Sequence, residues 1–262
     1  MDFAGAMAHA ASASIELLHT YRIPLDYPVS TSMLDEMDDS EQKVIEELLR
    51  RTKEQYFEAH PDHRDSVEIN TTAIKGFTSD IIVDTAASKD HDIIIMGTKG
   101  ASGLTEVFLG SMAASVIESS KCPVLAIPEK AKFQGIDHLV YASDFSPKDY
   151  QSLHQLAEFA KYFEASTHCI HISDDENYFI DDVSFDLMKD QYEQYFPSDQ
   201  VDFNVLLGKG LEDGLQESIT GHKADIVAMT TRKRTFLEKL FSRSHTKKMA
   251  FHANVPLLAF HE

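Results

Sequence analysis

Short aliphatic runs alternate along the chain with longer segments in which apolar residues recur at helical spacing. Residues 93–96 and Val124–Ile127 are apolar at every position, which is typical of strands buried on both faces of a parallel sheet. Residues 67–74 and Val201–Leu207 have the length and composition of further strands. The pattern predicts an α/β fold in which a parallel sheet is covered by helices.

The longest helical pattern covers residues 39–60. Asp39 and Gln42 are spaced as a capping box at its start, in which each side chain satisfies a backbone N–H of the first turn. We predict an amphipathic helix whose apolar face covers the core. The apolar residues of this pattern are Val44, Ile45, Leu48, Leu49, Tyr56 and Phe57.

An internal repeat divides the chain. Residues 92–127 align with residues 225–260 at a constant spacing of 133 without a gap, and ten of the 36 positions are identical. Upstream, the strand-like segment 14–21 corresponds to residues 166–173. Such self-similarity predicts a duplicated domain, with boundaries at 1–130 and 131–262. Identical pairs include Asp92/Asp225, Met96/Met229, Ser111/Ser244, Pro123/Pro256 and Ala126/Ala259.

Composition and charge exclude several classes of protein. The net charge of the 262 residues is −19, which disfavours binding to nucleic acid or to an anionic membrane surface. No apolar run approaches the ~18–20 residues of a membrane-spanning helix, and no basic signal-peptide region is present at the start. Two cysteines, Cys122 and Cys169, fit a reducing compartment. We expect a soluble, cytoplasmic protein.

A glycine-rich segment follows the aliphatic run 93–96. It contains Gly97, Gly100 and Gly110, and Ser111 opens the next helix. Glycines let the backbone approach a ligand, and the start of a helix offers unused N–H groups and a positive dipole end. The segment therefore predicts phosphate binding at the carboxyl end of a parallel strand. A turn and helix cap without a ligand is the alternative.

The spacing Gly97-x2-Gly100-x9-Gly110-Ser111 resembles the nucleotide-binding motif of the universal stress protein family. CPVLAI after it, LLHT before it and DFS at residues 144–146 resemble the same family. The resemblance covers nearly the whole chain twice. It implies two tandem Rossmann-like domains, each a mostly parallel five-stranded sheet with helices on both faces. Family members with this motif bind ATP or another adenine nucleotide, without a well-established metabolic reaction.

The resemblance also implies a set of binding residues. Thr20 matches the family position that touches adenine, and Met96 lies at the floor of the pocket. The implied ligand is ATP, with AMP or ADP as alternatives and Mg²⁺ as a candidate companion. We find no general base and no complete set of metal ligands along the chain, so we expect no enzyme beyond weak ATP hydrolysis. The implied phosphate and ribose contacts are Gly97, Gly100, Gly110, Ser111, Met112 and Ala113.

The first half departs from the family pattern at its start. From Asp144 to His171 there are 27 residues, whereas from Asp2 to His19 there are 17, so the intervening helix is ten residues short and no first strand precedes it. That strand would be central in the sheet. Either the reading frame is truncated or another segment fills the position. We expect the first-half pocket to keep its phosphate side and to lose part of its adenine side.

The second half departs at the glycine segment instead, where side chains occupy the positions at which backbone must approach phosphate. Residues 232–248 carry seven basic side chains, which form either a solvated helix face or a patch for an anion or a partner. The replacements of Gly97, Gly100, Gly103 and Gly110 are Thr230, Lys233, Phe236 and Arg243.

The resemblance, taken together with the composition, implies a cytoplasmic stress-response protein that binds an adenine nucleotide in its first half as a regulatory signal. A nucleotide-independent scaffold for dimerisation or partner docking is the main alternative. A hydrolase or transferase of the wider adenine-nucleotide α-hydrolase-like class is a third, and it lacks an identifiable general base. Self-association, through the tandem domains or as a homodimer, is expected.

Overall fold

The computed structural model describes residues 1–23, 30–98, 109–143, 149–173, 186–187, 189–190, 201–207, 210–231 and 254–261. The chain divides into two compact units, residues 1–88 and residues 89–262. Each unit has its own strands and helices and is described by itself.

A pair of parallel strands forms the centre of the first unit. Ser14 of the first strand lies opposite Glu68 of the second, and Tyr21 lies opposite Lys75. Apolar side chains of the helices pack on this pair in two small clusters, one around Tyr56 and Phe57 and one around Ile45 and Leu49. The elements are α1 (Asp2–Ala11), β1 (Ser14–Tyr21), α2 (Thr31–Ala59), β2 (Glu68–Lys75) and α3 (Thr78–Ser88).

Helix α2 begins eight residues before the predicted start. Ser30 has extended backbone, and its Oγ accepts a hydrogen bond from the backbone N–H of Met33 at 3.4 Å. The predicted capping box of Asp39 and Gln42 is wrong, because no glycine or proline interrupts residues 31–59 and the helix continues back to the serine cap. Gln42 instead donates to Glu46 at 2.8 Å. Neither α2 nor any other helix in the described ranges is both long and apolar enough to cross a membrane.

The second unit contains one seven-stranded sheet, with strand order β3-β4-β9-β8-β5-β6-β7 in the described residues. All neighbouring strands are parallel except β4 and β9. The five strands of the second half have a doubly wound order that reverses between β8 and β5, where crevices form in such sheets. The elements are β3 (Ile94–Gly97), α4 (Ser111–Ser119), β4 (Val124–Ile127), β5 (His138–Ser143), α5 (Asp149–Lys161), β6 (Ser166–Ser173), β7 (Val201–Leu207), α6 (Leu211–His222), β8 (Ile226–Thr231) and β9 (Leu257–His261).

The first-half strands form two separate parallel pairs, β1–β2 and β3–β4. In the repeat, β1 corresponds to β6 and β3 corresponds to β8. Strand β5 lies between β6 and β8 and joins them. Among the residues that the structure describes, no first-half strand takes the position of β5, as the sequence predicted.

The α/β class and the mostly parallel sheets of the tandem halves are confirmed. The second half has the five expected strands, whereas the described first half has four. Because no described strand joins β1 to β3, the compact units divide after Ser88, inside the first repeat. The domain boundaries 1–130 and 131–262 follow the repeat and stay a prediction.

Strands β4 and β9 are equivalent in the repeat, and they pair antiparallel. Leu125 lies opposite Leu258, its own repeat equivalent. Val124 lies opposite Ala259, the repeat equivalent of Ala126. Ala126 in turn lies opposite Leu257, the repeat equivalent of Val124. A local pseudo-twofold axis therefore passes between Leu125 and Leu258. This pairing continues the β3–β4 pair of the first half into the sheet of the second half.

Asp225 fixes the start of β5. Its Oδ2 accepts hydrogen bonds from the backbone N–H groups of Asp137 at 2.8 Å and His138 at 2.9 Å. The repeat equivalent of Asp225 is Asp92, which precedes β3 and is exposed. The aspartate at this repeat position therefore has a defined structural role in the second half, where it binds the start of β5.

We expect Asp225→Ala to lower the free energy of unfolding by about 2 kcal/mol, because two backbone donors lose a carboxylate acceptor. Asp92→Ala is the matched control, and its effect should stay within about 0.5 kcal/mol, as for most exposed positions. Urea unfolding followed by circular dichroism measures both, since the chain has no tryptophan. Equal losses in the two variants would contradict the assigned role.

Candidate functional site

The glycine-rich segment begins where β3 ends. Gly97 is the last residue of β3 and is exposed, and Thr98 after it is buried. The backbone N–H of Thr98 donates to the carbonyl of Ile127, the last residue of β4, at 3.0 Å. The carbonyl of Thr98 accepts from the N–H of Gly110 at 2.6 Å. These two bonds hold the start of α4 at the carboxyl ends of β3 and β4.

Gly110, which precedes α4, provides no side-chain cap for its first turn. Gly110 precedes the helix with extended backbone, φ −70° and ψ 159°, and its carbonyl accepts from the N–H of Ala114 at 3.0 Å. The N–H groups of Ser111, Met112 and Ala113 belong to the first turn, where the helix itself supplies no acceptor. Such a turn suits an anionic ligand, because donors without an acceptor in their own helix and the positive dipole end coincide.

The structure brings six of the predicted site residues to this edge of the second unit. Met96 is half-buried in β3, directly before Gly97. Thr20 lies in the first unit, near the end of β1, and its hydroxyl shares a hydrogen bond with the hydroxyl of Thr78 at 2.8 Å. The six residues are Met96, Gly97, Gly110, Ser111, Met112 and Ala113. Outside the described residues lie Gly100, Gly103, the DFS segment 144–146 and the basic segment 232–248.

The second half has a network of polar side chains at the equivalent strand end. Thr230 of β8 corresponds to Gly97. Its Oγ1 lies 2.8 Å from the hydroxyl of Tyr141 on β5 and 2.7 Å from Oγ of Ser152 on α5. The network therefore spans β8, β5 and α5 where the strand order reverses. Side chains that satisfy one another fill this position in the second half.

Asp149 is the charged centre of this network. It is the first residue of α5 and is only 2% exposed. One carboxylate oxygen accepts from the hydroxyl of Tyr141 and the other from the hydroxyl of Ser143, both at 2.8 Å. Burial, and then the nearby charge of Asp149, raises the pKa of Tyr141, so the phenol stays protonated and donates.

The sequence predicted an obstructing side chain at position 230 but missed the rest of the network. The available signal was the polar content of β5, where Tyr141 and Ser143 follow the aliphatic pair Leu139–Val140 and Asp149 lies six residues after Ser143. Tyr141 and Ser143 become partners of one carboxylate only because α5 returns over β5. At the equivalent position of the first half, Gly97 presents no side chain.

Comparison with known proteins identifies the family. A profile of the universal stress protein family matches residues 1–128 and again residues 135–261. Universal stress protein MJ0531 of Methanocaldococcus jannaschii is 41% identical over 66 residues, which cover 25% of this chain and 39% of that protein. Universal stress protein YxiE of Bacillus subtilis is 27% identical over 132 residues, which cover 48% of this chain and 87% of that protein.

Solved structures agree with this assignment at the level of the fold. A universal stress protein from Archaeoglobus fulgidus superposes with a TM-score of 0.63 at 19% identity, covering 98% of this chain and 91% of that one. The functionally unknown protein PA1789 from Pseudomonas aeruginosa gives a TM-score of 0.59 at 14% identity, covering 99% and 86%. The two family matches together span nearly the whole sequence. The chain therefore belongs to the universal stress protein family.

Proposed function

We propose that the protein binds an adenine nucleotide, ATP, at the carboxyl ends of β3 and β4, and that occupancy of this site is a regulatory signal in the stress response. The observation that carries the proposal is the hydrogen bond from Gly110 to Thr98, which holds the start of α4 beside the exposed Gly97. Phosphate oxygens would accept hydrogen bonds from the first-turn N–H groups of α4. Gly97 would let them approach the backbone without a side chain in the way.

The difference between the halves supports placing the nucleotide in the first. Thr230 stands where Gly97 stands in the repeat, and its hydroxyl contacts Tyr141 and Ser152. A phosphate at that position would displace a hydroxyl that already has two partners. The second half is therefore the structural half of the tandem, and the first half is the nucleotide-binding half.

The net charge of the protein affects which form of the nucleotide binds, free ATP or its magnesium complex. Since the net charge is −19, the long-range field repels a free polyphosphate. Mg²⁺ would reduce the charge of ATP, and we propose that the magnesium complex is the bound species in the cytoplasm. AMP and ADP are the comparison ligands. The site gives the nucleotide positioned N–H donors, and we assign no catalytic residue in it.

Calorimetric titration with ATP and Mg²⁺ tests the proposal, on protein that has been unfolded and refolded to remove carried-over ligand. We expect a dissociation constant near micromolar, about −8 kcal/mol. Gly110→Arg and Gly97→Thr, which copy the second half, should weaken binding more than about 100-fold, because each places a side chain where the phosphate meets backbone.

Gly210→Arg is the matched control. Gly210 also precedes a helix, α6, with extended backbone at φ −63° and ψ 151°, and an added Cβ there would meet no atom within 4 Å. This variant should bind ATP as the parent does. Absence of heat from a parent protein that circular dichroism shows to be folded would refute the proposal and favour the nucleotide-independent scaffold.

A further inference from the structure

Three histidines of the first unit lie together where α1 packs against the end of α2. His9 is in α1, His60 follows the last residue of α2, and His63 is in the short 3-10 helix Pro61–His63. The ring of His63 stacks on that of His9, with centroids 4.4 Å and planes 13° apart, and on that of His60 at 5.3 Å and 17°. We call His9, His60 and His63 the histidine cluster.

One face of α1 makes these contacts. At about 100° per residue, Asp2, Gly5 and His9 fall within an arc of about 60°. Oδ1 of Asp2 lies 3.6 Å from Nε2 of His60. Gly5 packs so closely on the hydroxyl of Tyr56 that an added Cβ would lie 1.7 Å from it. Together with the stacking of His9, these contacts dock α1 on the end of α2.

Docked α1 covers part of the apolar core of the first unit. Ala8 of α1 belongs to the buried cluster that contains Tyr56 and Phe57. Phe3 and Met7 of α1 are buried as well. Movement of α1 away from the end of α2 would therefore expose apolar surface.

The docked arrangement suits a neutral His63, whose side chain is only 12% exposed. Its Nδ1 lies within hydrogen-bond distance of the hydroxyl of Tyr56. Burial raises the pKa of Tyr56, so the phenol keeps a proton that it can donate to Nδ1. Burial, and then the neighbouring His9, lowers the pKa of His63. Protonation of the histidine cluster would place like charges on stacked rings.

The other charged groups around His63 oppose this preference only weakly. The carboxylates of Asp2 and Asp62 face the histidine cluster from α1 and from the 3-10 helix, and both are largely exposed, so solvent screens them. Arg64, the next residue along the chain, pairs with Glu54 at 2.9 Å. The charge of Arg64 is therefore directed to another partner.

The direction of the pH dependence follows from these contacts. A solvated imidazole has a pKa of about 6.5, and docking lowers the pKa of His63 below its ordinary value. Below about pH 6.5 the undocked form therefore binds protons more readily than the docked form. Docking of α1 has its full stability above this pH and loses it as the pH falls toward the pKa of docked His63.

We propose that the histidine cluster is a pH-sensitive contact, which holds α1 on the end of α2 at neutral pH and releases it in mild acid. Release exposes the apolar surface beneath α1. All of the residues involved lie in the first unit, in α1 and around the end of α2, so the inference does not depend on nucleotide binding.

Hydrogen exchange followed by mass spectrometry tests the proposal, at about pH 7.5 and about pH 5.5 and with correction for the intrinsic dependence of exchange on pH. Protection of the α1 amides should be lower in acid by about threefold to tenfold, because release takes up as much as one proton at His63. Protection of α5, in the second unit, is the internal control and should stay within about twofold. Constant protection of α1, or an equal loss in α5, overturns the proposal.

His63→Asn tests whether His63 is the responding group. The asparagine oxygen can accept the proton of Tyr56 and the amide does not titrate, so α1 should stay protected at both pH values. His9→Phe keeps a ring for the stack and removes one titratable group, so its loss of protection in acid should be smaller than that of the parent. His154→Asn is the matched control, since His154 is exposed in α5, and α1 should respond in it as in the parent.

The two test variants decide the assignment together. If α1 of His63→Asn is unprotected even at neutral pH, the comparison of His9→Phe with the parent decides. A loss of α1 protection in acid as large as that of the parent, in His63→Asn and in His9→Phe alike, overturns the assignment of the pH dependence to the histidine cluster.

Discussion

Asp149→Ala is expected to lower the free energy of unfolding of the second unit by about 3–5 kcal/mol. The carboxylate is buried and accepts the hydroxyl protons of Tyr141 and Ser143, one on each oxygen. Alanine would leave both hydroxyls in a dry environment without their acceptor, and it would leave a space where the carboxylate was. Urea unfolding monitored by far-ultraviolet circular dichroism measures the loss.

Further variants distinguish the free energy lost with the hydrogen-bond network from other effects of removing an acid at the start of a helix. Tyr141→Phe removes one of the two donors and should cost less, about 1–3 kcal/mol. The double variant Asp149→Ala/Tyr141→Phe should lose less than the sum, since the two groups share one hydrogen bond. Asp80→Ala removes an exposed first-turn acid from α3 and should cost below about 1 kcal/mol. A loss in Asp149→Ala no larger than in Asp80→Ala would contradict the network.

Much of the fold could be predicted from local sequence patterns, because a duplication repeats the same residues at a fixed spacing and buried strands are apolar at successive positions. The pairs Asp92/Asp225 and Pro123/Pro256 identified equivalent strands. The spacing from Asp2 to His19 predicted that the first half would lack a central strand. The described residues agree, since β1 pairs with β2 and β3 pairs with β4.

Helix α2 shows what periodicity cannot decide. The adjacent pairs Val44–Ile45 and Leu48–Leu49 offer two apolar faces about 100° apart, and either could cover the core. In the structure Ile45 and Leu49 pack in a buried cluster of the first unit, so the face that carries them is the one that covers the core. Likewise, Asp39 and Ser30 are both acceptable helix caps, and only the uninterrupted chain between them lets the helix extend to the earlier one.

The arrangement of site residues that are close together in the sequence could be predicted, whereas contacts between distant residues could not. Gly97, at the end of β3, is close in the sequence to Gly110 and Ser111, at the start of α4, and the structure places the three residues at one edge as expected. Thr20 lies in the other compact unit. The network around Asp149 joins residues that are up to 89 positions apart, and it forms because the sheet order places β5 beside β8. Pairings of that kind are set by tertiary structure.

Leu125→Ala and Leu258→Ala are each expected to lower the free energy of unfolding by about 2–5 kcal/mol. Leu125 and Leu258 are fully buried and lie directly opposite each other where β4 meets β9. Side chains directly opposite across an antiparallel pair are in contact, with Cβ atoms about 4.5–5.5 Å apart. Truncating either one leaves a cavity at the junction between the first-half strands and the second-half sheet. Urea unfolding reports the loss.

The double variant tests whether the two leucines act as one contact. Leu125→Ala/Leu258→Ala should lose at least about 0.5 kcal/mol less than the sum of the single losses, because the first truncation already removes the partner of the second. Leu153→Ala is the control partner. Leu153 is equally buried on α5, and α5 follows β5, which two strands separate from β4, so its loss should add to that of Leu125. Full additivity of the Leu125 and Leu258 variants would mean that β4 and β9 do not pair in this register, and the pseudo-twofold junction would have to be abandoned.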